Sequence, residues 1–218
     1  LSSPPNRGPP NALLWFPGRS NPRVRGRPPI LKTFMMEERP IPLLYERPDT
    51  LRRELGEPVM GDEDCVTVEP GQSCRLLFDA GGLTNAYMRY ETEGGRDTEV
   101  TFTYFEKFTK GIDEVKRDDY VHGEIGKNGQ VDSIVLKGGK LLYEPFWYRT
   151  MRFLQIEIKA ADEAVRFYRP RLLKTGYPLN PGSAVKSSAA WVEQVYEMCV
   201  RTLQGCMMET YMDCPFWE

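Results

Sequence analysis

At 218 residues, with 40% hydrophobic and 28% charged side chains, the chain has a globular composition and enough length for one substantial core plus a partial second unit. Its net charge is −2 and its 29 Lys and Arg residues are spread out, so it lacks the clustered basic face that nucleic acid requires; no apolar run reaches bilayer length, and no membrane partner is expected. Five irregularly spaced cysteines and a single histidine, His122, fit neither a paired-ligand zinc site nor a His-rich metal centre, and no metal or other cofactor is implied.

Residues 1 to about 30 are crowded with proline, glycine, asparagine and arginine, including Pro4-Pro5, Pro9-Pro10 and Pro28-Pro29. Proline lacks an amide donor and restricts its neighbour, so no helix or central strand is expected here. Leu13-Leu14-Trp15-Phe16 is an apolar patch expected to dock on a neighbouring domain. The extended style continues through Pro40-Ile41-Pro42-Leu43-Leu44, and residues 1–62 are read as a Pro-rich N-terminal segment or linker. The chain starts at Leu1 without an initiator methionine, so it is read as a fragment of a longer protein; no signal-peptide core is visible and the compartment is left open.

From about residue 65 the pattern becomes strand-like. Residues 74–78, 86–92 and 99–105 alternate or cluster apolar side chains; in the last, Val100, Phe102 and Tyr104 share one face. Asp79-Ala80-Gly81-Gly82 and Glu93-Gly94-Gly95-Arg96 are expected turns, because glycine accepts positive φ. Residues 111–129 read as a long loop or an irregular hairpin, and residues 131–137 as a strand before a Gly138-Gly139 turn. Within residues 146–159 the apolar phase slips, with Met151 and Phe153 on one parity and Leu154, Ile156 and Ile158 on the other. That slip predicts a bulge near Leu154 or burial of both faces. Residues 165–177 complete a set of strands with no intervening helix, which indicates an antiparallel β-sandwich over residues 63–180. Cys65 and Cys74 either bridge a short loop or remain thiols, the latter being expected.

After Pro181-Gly182-Ser183, Val192, Val195, Cys199, Thr202 and Cys206 recur at helical spacing and predict an amphipathic helix, capped by Ser187 or Ser188 and ending near Gly205. One such helix cannot bury its stripe alone. Directly after it stand two carboxylates, Asp213 and Glu218, interleaved with Tyr211, Phe216 and Trp217. Paired carboxylates are the minimum apparatus for glycoside hydrolysis, and inverting enzymes hold them about 6.5–9.5 Å apart to admit water. Neighbouring rings stack on sugar faces and raise a carboxyl pKa by desolvation. On spacing alone, a helix stop at Pro215 flanked by surface acids is the stronger reading.

Met208-Glu209-Thr210-Tyr211-Met212-Asp213-Cys214-Pro215-Phe216-Trp217-Glu218 resembles the signature of α-L-rhamnosidases, inverting glycoside hydrolases with an (α/α)6 barrel. The resemblance extends over residues 188–203, similar to the first barrel helix. It also takes in Tyr143-Glu144-Pro145-Phe146-Trp147-Tyr148-Arg149-Thr150-Met151-Arg152-Phe153 and Leu77-Phe78-Asp79-Ala80-Gly81-Gly82, similar to strands of the sandwich ahead of the barrel. It implies a β-sandwich followed by the first helix of a truncated barrel at residues 181–218, packing against the rest of that barrel. The substrate implied is a carbohydrate, a terminal rhamnoside. Asp213 would bind rhamnose hydroxyls and Glu218 would be the general acid, with Trp217 in the substrate site where many members carry arginine. The general base would lie beyond residue 218, so the chain by itself is expected to be inactive. The alternative is a non-catalytic carbohydrate-binding or structural sandwich.

Other residues have plainer readings. His122 is expected to be solvated, and Arg149 and Arg152 to lie on a solvated face or an interdomain salt bridge. Trp147 and Tyr148 are expected to pack in a core or interdomain contact rather than form a sugar platform. Asp113, Glu114, Asp118 and Asp119 lack the spacing of a calcium loop.

Overall fold

The computed structural model describes residues 40–60, 64–109, 119–125, 129–180 and 182–217. Residues 1–42 and 43–218 form separate units. Of the first, only residues 40–42 are described, so the patch at residues 13–16 lies outside the described residues. The second unit is an antiparallel β-sandwich followed by one helix. Its strands are β1 (Tyr45–Asp49), β2 (Arg53–Glu54), β3 (Cys65–Val68), β4 (Ser73–Gly94), β5 (Glu99–Phe105), β6 (Phe108–Thr109), β7 (Glu124–Ile125), β8 (Gln130–Val135), β9 (Lys140–Tyr143), β10 (Arg149–Lys159), β11 (Val165–Tyr168) and β12 (Arg171–Gly176). The helix is α1 (Ala190–Cys206).

The 22-residue β4 belongs to both layers. One layer runs β1-β12-β4-β10-β5-β8. In the other, the end of β4 pairs with β9, Tyr90 opposite Tyr143, and with β11, Thr92 opposite Phe167; β3 then pairs with β11. The core fills the space between the layers, where Tyr90 of β4 stacks on Phe102 of β5 with ring centroids 4.0 Å apart. Val100, Phe102 and Tyr104 are buried together, as their alternation requires. The Tyr90 and Tyr104 hydroxyls satisfy each other at 2.9 Å. Burial pushes both phenols far above their ordinary range, so the pair stays neutral.

The phase slip in β10 is a bulge. Its register against β4 shifts between Met151 and Phe153. Met151, Leu154, Ile156 and Ile158 thereby join the main core, while Phe153 packs on the opposite face with Phe105 and Phe108.

Asp79-Ala80-Gly81-Gly82 does not end a strand. β4 runs through it, and residues 80–83 bulge opposite the single residue Arg152. The reason is long-range. The fully buried Asp79 carboxylate accepts hydrogen bonds from Gly81 N at 2.7 Å, from Arg53 Nη2 at 2.5 Å and from Arg152 Nε at 3.2 Å. Burial alone would raise its pKa, but the two guanidinium groups and the amide outweigh burial and hold it below the usual carboxylate value. Arg152, 22% exposed, is thus spent on Asp79 rather than on solvent.

The sheet also takes in residues ahead of the boundary read at residue 63: β1 pairs with β12 and β2 with β4. Pro48 sits in β1 without disruption because β1 ends the layer, and an edge strand needs no donor on its outer side. The turns at residues 93–96 and 138–139 form as expected. A side chain at Gly95, where φ is +69°, would stand 2.6 Å from Val165 Cβ, so glycine is required there. β6 and β7 pair, Phe108 opposite Ile125; residues 110–118 and 126–128, most of the segment read as a long loop or an irregular hairpin, lie outside the described residues. Cys65 and Cys74 carry thiols and do not form a bridge.

Helix α1 follows Ala189, which supplies no side-chain cap; the expected serine cap does not form, and Ser187 Oγ instead accepts from Ala189 N, ahead of the first helical turn. Among the described residues, no helix is long and apolar enough to cross a membrane.

Candidate carbohydrate site

The end of α1 and the segment that follows are bound to the face of the sandwich. Register places Asn85 of β4 opposite Thr150 of β10, beside the bulge. Both are buried. Thr150 Oγ1 donates to Asn85 Oδ1 at 2.7 Å, which orients the amide so that Nδ2 donates to Gly205 O at 2.7 Å. That carbonyl belongs to the last helical turn, where no intrahelical donor remains. Met212 N closes the next carbonyl, Cys206 O, at 2.8 Å. Tyr177 N donates to Met207 O at 3.0 Å, so the strand region and the segment after the helix share a hydrogen bond.

The Asp-Cys-Pro segment is then folded with its middle inward. Phe216 is buried and its carbonyl accepts from Gln130 Nε2 at 3.3 Å. Cys206 Sγ donates to the Asp213 carbonyl at 3.7 Å. The Asp213 side chain and the Trp217 ring remain exposed, the latter edge-on to Phe216 at 5.4 Å. Glu218 lies outside the described residues, so of the expected carboxylate pair only Asp213 is described.

Next to Pro215 is a cleft of about 200 Å³, walled by Gln130, Asp132, Trp147, Tyr148 and Arg149. Arg149 holds Asp132 through two hydrogen bonds, Nη2 to Oδ1 at 2.6 Å and Nε to Oδ2 at 3.0 Å. This fork raises the already high Arg149 pKa. Its remaining nitrogen, Nη1, reaches the carbonyls of Trp147 and Tyr148, both at 3.4 Å. The guanidinium lies over the Tyr104 ring. Arg149 is therefore a brace between strands β8 and β10, not part of a solvated face. Trp147 is 53% exposed, with Phe146 stacked beyond it, and so lies outside the core, one of the two packing roles expected of it. Tyr148 is half-buried and its hydroxyl donates to Met212 Sδ at 3.7 Å. Burial, with the Glu209 charge adding to it, pushes that hydroxyl up and keeps it protonated.

Asn85, Gln130 and Asp132 were not singled out in the sequence. The available signal for Asn85 was an amide in a strand of apolar neighbours; for the other two there was none. His122 is exposed and shares its Nδ1 with Asp119 at 3.1 Å. Asp113, Glu114 and Asp118 lie outside the described residues. Among the described residues, no group of three or more His, Cys, Asp or Glu is arranged to hold a metal.

No family model matches the chain, and no curated protein matches it either. Solved structures do. The chain is similar to a rhamnosidase from Klebsiella oxytoca with rhamnose bound, at 17% identity and a TM-score of 0.64 over 81% of this chain and 38% of that one. It is also similar to a GH78 family rhamnosidase of Bacillus sp. GL1, at 19% identity and a TM-score of 0.57 over 71% of this chain and 15% of that one. The likeness is one of fold. The chain thus spans well under half the length of either rhamnosidase. The shared fold takes in the antiparallel sandwich with its C-terminal helix, as the sequence led us to expect.

Proposed function

We propose that the chain is part of an α-L-rhamnosidase-like hydrolase that cleaves terminal α-L-rhamnosides with inversion. Residues 43–180 are its sandwich, and residues 181–218 open a helical catalytic barrel whose remaining helices cover α1. The observation that carries this reading is the anchoring of the Asp-Cys-Pro segment on a sandwich of rhamnosidase fold, with Asp213 and Trp217 left outward. In the reaction, Asp213 accepts hydrogen bonds from rhamnose hydroxyls and the Trp217 ring lies along the sugar. Glu218 protonates the departing glycosidic oxygen, while a carboxylate from outside residues 1–218 deprotonates the attacking water. The chain by itself would then be inactive.

The test is Glu218→Gln in the full-length hydrolase. Turnover of unactivated rhamnosides is expected to fall by about 10²–10⁴-fold, the usual contribution of a general acid. Aryl rhamnosides with acidic leaving groups should lose less, because they need less protonation. Unchanged turnover of both would remove Glu218 from the role. Absence of hydrolysis by the wild-type protein across a panel of aryl glycosides would leave a non-catalytic sandwich.

A further inference from the structure

We propose that the cleft between Trp147 and the Asp132–Arg149 pair is a second carbohydrate subsite, one that holds a single pyranose ring on the sandwich side of Pro215. The inference rests on the reading of the protein as carbohydrate-active and adds a recognition surface made of strand residues. Three features support it. The first is size: about 200 Å³ is below the roughly 300–1,000 Å³ of sites for drug-sized ligands, and suits one ring.

The second is the pairing of an apolar face with polar atoms. Trp147 offers an exposed indole flanked by the rings of Phe146 and Tyr148, at 6.4 and 5.3 Å between centroids. Beside it, Asp132 is 15% exposed and fixed by the Arg149 fork. A carboxylate has about four acceptor positions; the fork takes two and the Tyr104 hydroxyl engages a third, which leaves about one acceptor position at a residue that lines the cleft. A sugar presents an apolar C–H face and a rim of hydroxyl donors, which is the complement of this arrangement. An anionic ligand would be repelled by Asp132, and a purely apolar one would leave the carboxylate dehydrated and unsatisfied.

The third feature is continuity. Pro215 belongs to both the cleft wall and the Asp-Cys-Pro segment, and Gln130, another wall residue, holds the Phe216 carbonyl. A ring in the cleft is therefore adjacent to the segment that carries Asp213, where the next sugar of the same substrate would lie.

The experiment is an NMR titration of the 218-residue chain with L-rhamnose and with a rhamnosyl-glucose disaccharide. The Trp147 indole resonance is assigned by its loss in Trp147→Phe. A saturable shift of that resonance is expected with one or both sugars, with the exposed Trp191 indole on α1 unmoved. Affinity should be roughly tenfold weaker in Trp147→Ala and in Asp132→Asn, where the acceptor is halved but the shape kept. Trp147 is exposed, so its replacement leaves the core intact, and a dispersed spectrum verifies this. No saturable shift at the Trp147 indole, undiminished affinity in Asp132→Asn read at that indole, or undiminished affinity in Trp147→Ala read at the backbone amides of residues 130–132, overturns the subsite. The two proposals fail separately: rhamnoside hydrolysis by the full-length protein with no response at Trp147 removes only the subsite. A saturable response with no hydrolysis by that protein removes only the hydrolase.

Discussion

The sandwich and the helix that follows it solve the burial problem in opposite ways. Between the sheets, Val100, Phe102, Tyr104, Ile156 and Phe167 are fully covered, and on the opposite face of β4 even the charge of Asp79, across from Phe153, is enclosed and paired. On α1 the apolar side chains stay in water: Trp191 is 65% exposed and Met198 52%, and only the last residue, Cys206, is buried. The helix touches the sandwich at its C-terminal end, through directed hydrogen bonds rather than an apolar face. The sandwich is complete in itself, whereas α1 is positioned by its end and keeps its stripe for something else.

Mutations can test how sharp that division is. The largest effect is expected at Asp79. Asp79→Ala removes the carboxylate that organises the β4 bulge and leaves Arg152, itself only 22% exposed, without that partner. Loss of about 3–5 kcal/mol is expected in a urea titration followed by tryptophan fluorescence. The effect is pH-dependent with a definite sign. Because the folded pKa is lowered, the stabilisation is present above the unfolded carboxylate value of about 4 and is lost as pH falls through the folded value. The advantage of wild type over Asp79→Asn should therefore be constant from about pH 5 to 8 and shrink below about pH 4. A constant difference down to pH 2 would contradict the pairing.

A smaller and more local effect is expected at the junction. Asn85→Ala strips the buried Thr150 hydroxyl and the Gly205 carbonyl of their partner, at about 1–3 kcal/mol. Hydrogen exchange should show amides 206–216 losing protection while β5 and β10 keep theirs. Equal loss in both would mean that the helix end and sandwich unfold as one. The smallest effect belongs to the helix face: Trp191→Ser together with Val195→Ser should change the stability of the 218-residue chain by less than about 0.5 kcal/mol. In the longer protein proposed above the same pair should cost several times more, as differential scanning calorimetry of both would show.

Where the fold follows from short-range pattern, the sequence was legible. The alternation of Val100, Phe102 and Tyr104, the slipped phase around Leu154 and the glycine turns at residues 93–96 all appear in the structure. Gly81 and Gly82 misled because their local signal is that of a turn, and the tie that keeps β4 continuous comes from Arg53 and Arg152, distant in sequence. β1 was hidden by Pro48, whose cost disappears only at a sheet edge. In the site, Asp213 and Trp217 stood out by residue type. Asp132 did not, since its partner Arg149 lies on a strand separated from β8 by β5.

The pairing of β1 with β12 sets Tyr45 opposite Gly176, so the chain enters the sandwich and leaves it at neighbouring points. Two consequences follow for how such a body is made and moved. During synthesis the outer edge of the layer cannot close until residue 176 has emerged, so residues 45–49 wait for their partner through most of the sandwich's translation. In genetic terms, a body whose two ends meet can be set into another chain without prising that chain apart, which makes this sandwich a portable block.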